Sequence, residues 1–241
     1  MLTCRIIPTL LLDKNRLVRT KCFQVTEIVG SPVSQAKILN ANEADEIIFL
    51  DIRGNSDLVK VLNDVSEELF IPLTVGGYVD TIQRIGELML AGADKVVLRT
   101  KAFEEPTFIS RAADKWGCQA ISVCVDILNG KILTRRIVEN LDPIDWAVSA
   151  VKHGAGEIIL HFADRDGMMG GFDIGLLKKV SDAVTAPVVV MGGAGSLGDF
   201  EMALSNGASG VAASSFFSFT DQSPIKVKSW LVGRGVNVRS I

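Results

Sequence analysis

Eight short apolar, β-branched runs alternate with eight longer amphipathic stretches, and that alternation leaves few folds open to the chain. The runs are Cys4–Thr9, Ile47–Asp51, Leu73–Gly76, Val96–Thr100, Ala120–Asp126, Ile158–Phe162, Val188–Met191 and Val211–Ser214. The stretches that follow them are Val33–Asn40, Leu58–Leu69, Thr81–Ala91, Pro106–Trp116, Pro143–His153, Ile174–Val184, Leu197–Asn206 and Ile225–Val232. A strand signal followed by a helix signal, eight times over, predicts an α/β chain folded as a (β/α)8 barrel. Near-continuous apolar strands fit a parallel sheet covered on its outer face by helices. A doubly wound open sheet is the rival, but it commonly carries a GxGxxG turn after its first strand, and none follows here.

The two halves repeat one another. Pro72-Leu73-Thr74-Val75-Gly76-Gly77 precedes a helix signal and then Ala91-Gly92-Ala93-Asp94-Lys95-Val96. Pro187-Val188-Val189-Val190-Met191-Gly192-Gly193 precedes a helix signal and then Asn206-Gly207-Ala208-Ser209-Gly210-Val211. The order of strand, diglycine, helix and Gly-Ala turn recurs, as expected of two half-barrel units. No low-complexity linker divides the chain, so one domain is expected over residues 1–241.

Composition narrows the function. The net charge of -3 and the lack of a dense Lys/Arg run argue against a nucleic-acid partner. No apolar stretch is long enough to span a bilayer, and the first apolar run is broken by Pro8 and followed by Asp13, Lys14 and Arg16, unlike a secretory leader. Cys4, Cys22, Cys118 and Cys124 form no CxxC pair, and the only histidines are His153 and His161, so no metal site is expected. Scattered thiols point to a reducing, cytoplasmic setting. No cofactor is implied.

In a barrel of this kind chemistry sits on the loops after the strands. The candidates are Asp51, Gly76, Gly77, Arg99, Thr100, Asp126, Asp164, Asp166, Gly167, Gly192, Gly193, Ser214 and Ser215. Glycine lets a backbone approach a ligand, and the N–H groups at a helix start favour phosphate. Met191-Gly192-Gly193-Ala194-Gly195 after the seventh run and Ala213-Ser214-Ser215 after the eighth occupy the usual phosphate position of such barrels. One Gly-Gly alone could equally make only a tight turn. Asp164-Arg165-Asp166-Gly167 alone would also pass for a polar turn. Asp126 could act as a general acid or base, or cap a turn.

Longer blocks carry a more specific signal. Arg5-Ile6-Ile7-Pro8-Thr9-Leu10-Leu11-Leu12, Asp45-Glu46-Ile47-Ile48-Phe49-Leu50-Asp51-Ile52, Ile71 to Gly77, Ala91 to Val96, and Gly154 to Asp173 with Asp164-Arg165-Asp166-Gly167 inside it closely resemble the cyclase subunit of imidazole glycerol phosphate synthase. The resemblance runs from Arg5 nearly to the C-terminus. It implies a histidine-biosynthetic barrel without a glutaminase site of its own, forming a heterodimer with a separate glutaminase subunit. Asp126 matches one of the family's two catalytic aspartates. The other stands where this chain has Leu11, which cannot transfer a proton. Asp166, Gly167, Gly192, Gly193, Ser214 and Ser215 fall on the family's second phosphate site, and Asp51, Gly76, Gly77, Arg99 and Thr100 on the substrate rim of the other half. The family has a third glycine at Tyr78 and an asparagine at Arg99. Arg99 could supply a charged fork for phosphate, or the first site has drifted to a non-binding rim. The loop after Asp126 is several residues shorter than the family's.

The opposite rim is preserved. Arg5, Glu46, Lys95 and Glu157 each open an apolar run. By position alone they would be solvated rim charges. The resemblance implies instead that they form the charged ring that gates ammonia, with Asp94 meeting the glutaminase. The expected function is therefore the synthase side of a glutamine amidotransferase, which receives ammonia through the barrel and passes it to a phosphorylated small molecule or a sugar. Leu11 suggests a divergent, cyclase-like member with weak ring-closing activity, of the kind found in surface-polysaccharide amidation. The alternatives are a true cyclase with its acid–base duty moved elsewhere, and a non-catalytic scaffold that activates the glutaminase.

Overall fold

The computed structural model describes residues 3–67 and 69–239. The first half contains β1 (Arg5–Asp13), β2 (Arg16–Lys21), β3 (Gln24–Gly30), α1 (Pro32–Ala41), β4 (Ile47–Asp51), α2 (Leu58–Ser66), β5 (Leu73–Gly76), α3 (Ile82–Leu90), β6 (Lys95–Leu98), α4 (Thr100–Glu104) and α5 (Thr107–Trp116). The second contains β7 (Ile121–Leu128), β8 (Lys131–Leu133), β9 (Ile137–Val138), α6 (Pro143–Lys152), β10 (Glu157–Phe162), α7 (Ile174–Ala183), β11 (Val188–Met191), α8 (Leu197–Ser205), β12 (Gly210–Ala213), α9 (Ser215–Phe219) and α10 (Pro224–Val232).

Strands β1, β4, β5, β6, β7, β10, β11 and β12 pair in parallel in that order, and β12 returns to β1 to close the barrel. The (β/α)8 reading therefore holds. Alternation along each strand sorts its side chains between two cores. Ile6, Leu12, Phe49, Val75 and Leu160 face the helices. Ile7, Ile48, Val97, Cys124, Ile159, Val189, Met191 and Ala212 fill the barrel interior. Several helices start at side-chain caps. Asp57, Thr81, Asp142 and Asp173 accept backbone N–H groups, and Ser196 and Asp199 form a reciprocal capping box.

Four features differ from the sequence reading. The first strand does not stop at Thr9 but runs to Asp13, turns through Lys14 and Asn15, both at positive φ, and continues into the β2–β3 hairpin. A second hairpin follows β7 through Asn129-Gly130, also at positive φ. The fourth run ends at Leu98, and Thr100 opens α4. The second helix ends at Ser66; the expected span to Leu69 includes Glu68, which lies outside the described residues.

One buried ion pair ties the last helix to the first strands. Lys228 Nζ of α10 donates to Asp45 Oδ1 at 2.6 Å and to the Glu43 carbonyl at 2.6 Å. The other Asp45 oxygen accepts the Ile6 N–H at 2.8 Å. Lys228 is 1% exposed.

Candidate active site

The two ends of the barrel differ in kind. At the N-terminal end, Arg5 Nη1 lies 2.6 Å from Glu46 and Nη2 lies 2.5 Å from Glu157. Lys95 Nζ lies 2.8 Å from Glu46 and 3.1 Å from Glu157. Positive and negative groups thus alternate around a closed ring of four. Thr74 donates to Glu46 at 2.5 Å and Ser122 to Glu157 at 3.0 Å. Burial pushes the Glu157 carboxyl up, but the charges and hydrogen bonds of Arg5 and Lys95 outweigh it and hold the group below the usual carboxylate range. The solvated-rim alternative is excluded, because both carboxylates are buried and all four groups are paired. Asp94 is exposed beside the ring, and its carboxylate accepts the Leu73 N–H at 2.8 Å.

At the C-terminal end a cavity of 910 Å³ opens among the loops. Its floor carries a hydrogen-bonded group from β7 and β10. Asp126 Oδ1 accepts from His161 Nδ1 at 2.9 Å and from Cys124 Sγ at 3.3 Å. Asp126 Oδ2 accepts from Arg99 Nη1 at 2.6 Å. Both oxygens of the carboxylate are therefore engaged. Burial raises its pKa, but the hydrogen bond and charge of His161, then those of Arg99, bring it below the ordinary value. Burial alone would lower the His161 pKa; its bond to Asp126 and the nearby Asp166 carboxylate instead hold it well above the ordinary value. The Cys124 thiol is pushed up to about 11 by burial and by the Asp126 charge, so it is neutral at physiological pH. Cys124, Asp126 and His161 hold one donor atom each within 4.8 Å of one another. Arg99 on Asp126 and the protonated thiol oppose a cation there, and the trio reads as a proton network.

Leu11 also lines this cavity, 7% exposed, between Val18 and Leu50. The surrounding loops touch backbone to backbone. A Cβ on Gly192 would meet the Phe162 carbonyl at 2.5 Å, and one on Gly195 would meet the Met169 carbonyl at 2.0 Å. Those contacts fix the loop after β11 against the loop after β10. Gly195→Ala should therefore destabilise the fold by about 1–3 kcal/mol through overpacking, read as a fall in the urea midpoint. An unchanged midpoint would show that the loops part easily.

The barrel thus carries a closed ring of charge at one end and a cavity holding Arg99, Asp126, His161 and Asp166 at the other. The family model of the histidine biosynthesis protein matches residues 5–222. The chain belongs to that family. Imidazole glycerol phosphate synthase subunit HisF of Chloroherpeton thalassium is 40% identical over 99% of this chain and 100% of its own length. The HisF subunit of Endomicrobium trichonymphae is 38% identical over 100% of this chain and 97% of its own length. That of Alkaliphilus metalliredigens is 37% identical over 99% and 100%. These relatives bear out the family resemblance along the whole chain. Their names favour the cyclase alternative over a surface-polysaccharide role, for which they give no support.

Within this histidine-biosynthesis barrel, Asp51, Gly77, Arg99, Thr100, Asp126, Asp166, Gly167, Gly192, Gly193, Ser214 and Ser215 all line the cavity. Gly76 does not. Its missing side chain would point at Val97 and Leu50, inside the barrel. Asp51 accepts the N–H groups of Arg53, Gly54 and Ser56 at 2.9–3.1 Å, so its carboxylate shapes the loop after β4. The Tyr78 ring lies against Gly54, at a residue with φ of 54°. Asp166 accepts from Thr20 at 2.5 Å, tying the β2–β3 hairpin to the loop after β10. His161, Thr20 and Phe23 escaped the sequence reading although each lines the cavity. For His161 a signal existed: in β10 it shares the inward face with Glu157 and Ile159.

Among the described residues no helix is long and apolar enough to cross a membrane.

Proposed function

We propose that this chain is the synthase-side, cyclase-type subunit of a glutamine amidotransferase of the imidazole glycerol phosphate synthase kind, acting as one domain over residues 1–241. In this reading a separate glutaminase docks at the strand N-termini near Asp94 and releases ammonia at the ring of Arg5, Glu46, Lys95 and Glu157. Ammonia crosses the barrel to a phosphorylated acceptor in the cavity. The single observation that carries the proposal is the closed ion-pair ring set beneath an apolar interior, with a cavity above it that carries Arg99, Asp126, His161 and Asp166. Ile7, Ile48, Ile159 and Val189 between the two ends are at most 1% exposed. Such a core would exclude the ammonium ion, whose burial is costly, and admit neutral ammonia at far lower cost. The relatives' name supports the same role. Gly192, Gly193, Ser214 and Ser215 would hold one phosphate of the acceptor, and Gly77 with Thr100 the other rim.

A second reading is favoured by two specific observations. Leu11 is apolar and Arg99 is bound to Asp126, so the cavity departs from the family's acid–base pair. The acceptor in that reading is a different carbonyl compound, a sugar among them. The polar floor of the cavity argues against a scaffold without chemistry. The deciding experiment supplies the family's phosphoribulosyl substrate with ammonium chloride and follows imidazole product. The cyclase reading predicts product that depends on ammonium, at a turnover within the ordinary enzyme range of about 1–10³ s⁻¹. No product overturns the cyclase and leaves ammonia delivery to another acceptor.

A further inference from the structure

The position that proton transfer needs is not empty in this cavity. Leu11 cannot move a proton, and the two oxygens of Asp126 are occupied by His161, Cys124 and Arg99. His161 is different. Its Nδ1 is fixed on Asp126, while Nε2 has no hydrogen-bond partner although the residue is 7% exposed. Asp166 Oδ1 stands 3.9 Å from Nε2, beyond hydrogen-bond reach but close enough to stabilise a positive ring. The Phe23 ring, from the turn between β2 and β3, lies over the imidazole with centroids 5.0 Å apart. His161 and Phe23 both line the cavity. Cys22 and Phe23 sit at φ of 47° and 67°, so the turn holding the aromatic cover is itself a left-handed pair of non-glycine residues.

We infer that His161, oriented by Asp126, is the general acid of the cavity and takes over the proton transfer that Leu11 cannot perform, acting on a carbonyl acceptor as ammonia attacks it. This rests on the reading of the cavity as the place where ammonia meets its acceptor. The ammonia lone pair forms the new C–N bond, the carbonyl π pair moves to oxygen, and that oxygen takes the Nε2 proton. The new ammonium centre then returns one N–H proton to Nε2. The products are a neutral carbinolamine and the imidazolium as it began. Asp126 is a positioning residue in this scheme: it holds the ring and its charge while making no contact with the acceptor. The raised His161 pKa agrees with a ring that carries its proton at rest. The groups facing the ring are Asp126 and Cys124 from β7 and Asp166 from the loop after β10, with Arg99 beyond Asp126.

Two measurements on the full chain test the inference. The chain has 2 histidines, so nitrogen-15 NMR of labelled protein resolves His161 from His153 once His161→Gln removes one set. The expected result is a doubly protonated His161 at neutral pH whose titration midpoint falls in Asp126→Asn. A neutral ring at pH 7, or a midpoint that Asp126→Asn leaves in place, overturns the proposal without any substrate. The second measurement is ammonium-dependent turnover of the phosphoribulosyl substrate. His161→Gln should lower kcat about 10²–10⁴-fold with KM little changed, and should remove the loss of rate at high pH that an acid catalyst imposes. An equal kcat with the same pH profile overturns it. If the wild type forms no product, the cyclase reading fails, while the NMR result still judges His161 by itself.

Discussion

Replacing Lys228 with alanine is expected to lower the unfolding free energy by about 3–5 kcal/mol, among the largest effects of any single change in the fold. Lys228 Nζ is the buried cationic partner of Asp45, and truncation leaves that carboxylate beneath α10 with only the Ile6 N–H. The Glu43 carbonyl loses its donor in the same step. The cost comes from stranding a buried charge, so removing both partners should cost less than removing one. Lys228→Met combined with Asp45→Asn should recover part of the loss, since asparagine can still accept the Ile6 N–H. Urea unfolding midpoints at matched m-values measure this. A loss below about 1 kcal/mol for Lys228→Ala would mean that water enters and screens Asp45, and that the pair does little to hold α10 against the first strands.

The architecture was legible because each of the eight barrel strands is buried on its inner and outer faces and therefore reads as an apolar run. The charged ring was legible for a related reason. Arg5, Glu46, Lys95 and Glu157 are charges at the very start of runs that otherwise exclude charge. What escaped was built from local backbone chemistry or from distant pairing. The extension of the first strand into β2 and β3 was hidden because Leu10, Leu11 and Leu12 carry that strand beyond Pro8, and neither the Lys14-Asn15 turn nor the Cys22-Phe23 turn contains a glycine. The Asn129-Gly130 turn was a readable hairpin signal. Lys228 looks like any exposed lysine of an amphipathic helix; only its partner 183 residues away buries it. Arg99 lines the cavity as expected, but its Nη1 also reaches Asp126, a contact across 27 residues that no local pattern announces. His161 belongs to no motif, and its meaning depends on Asp126 standing beside it on β7.

In the proposed function ammonia enters through the ring. Glu157 is held below its ordinary pKa, so its contribution to stability is present above the unfolded-state value and is lost as pH falls through the folded one. The ring is accordingly intact at neutral pH, where a functional comparison can be made. Lys95→Ala removes one of the two cations that bridge Glu46 and Glu157 and leaves Arg5 on both. The most direct measurement compares two rates in the complex with the glutaminase partner: product formed from glutamine and product formed from free ammonium chloride. Lys95→Ala is expected to lower the glutamine-supported rate about tenfold, or about 1.4 kcal/mol, relative to the ammonium-supported rate. Equal changes in both rates, or none in either, would contradict a passage through the ring.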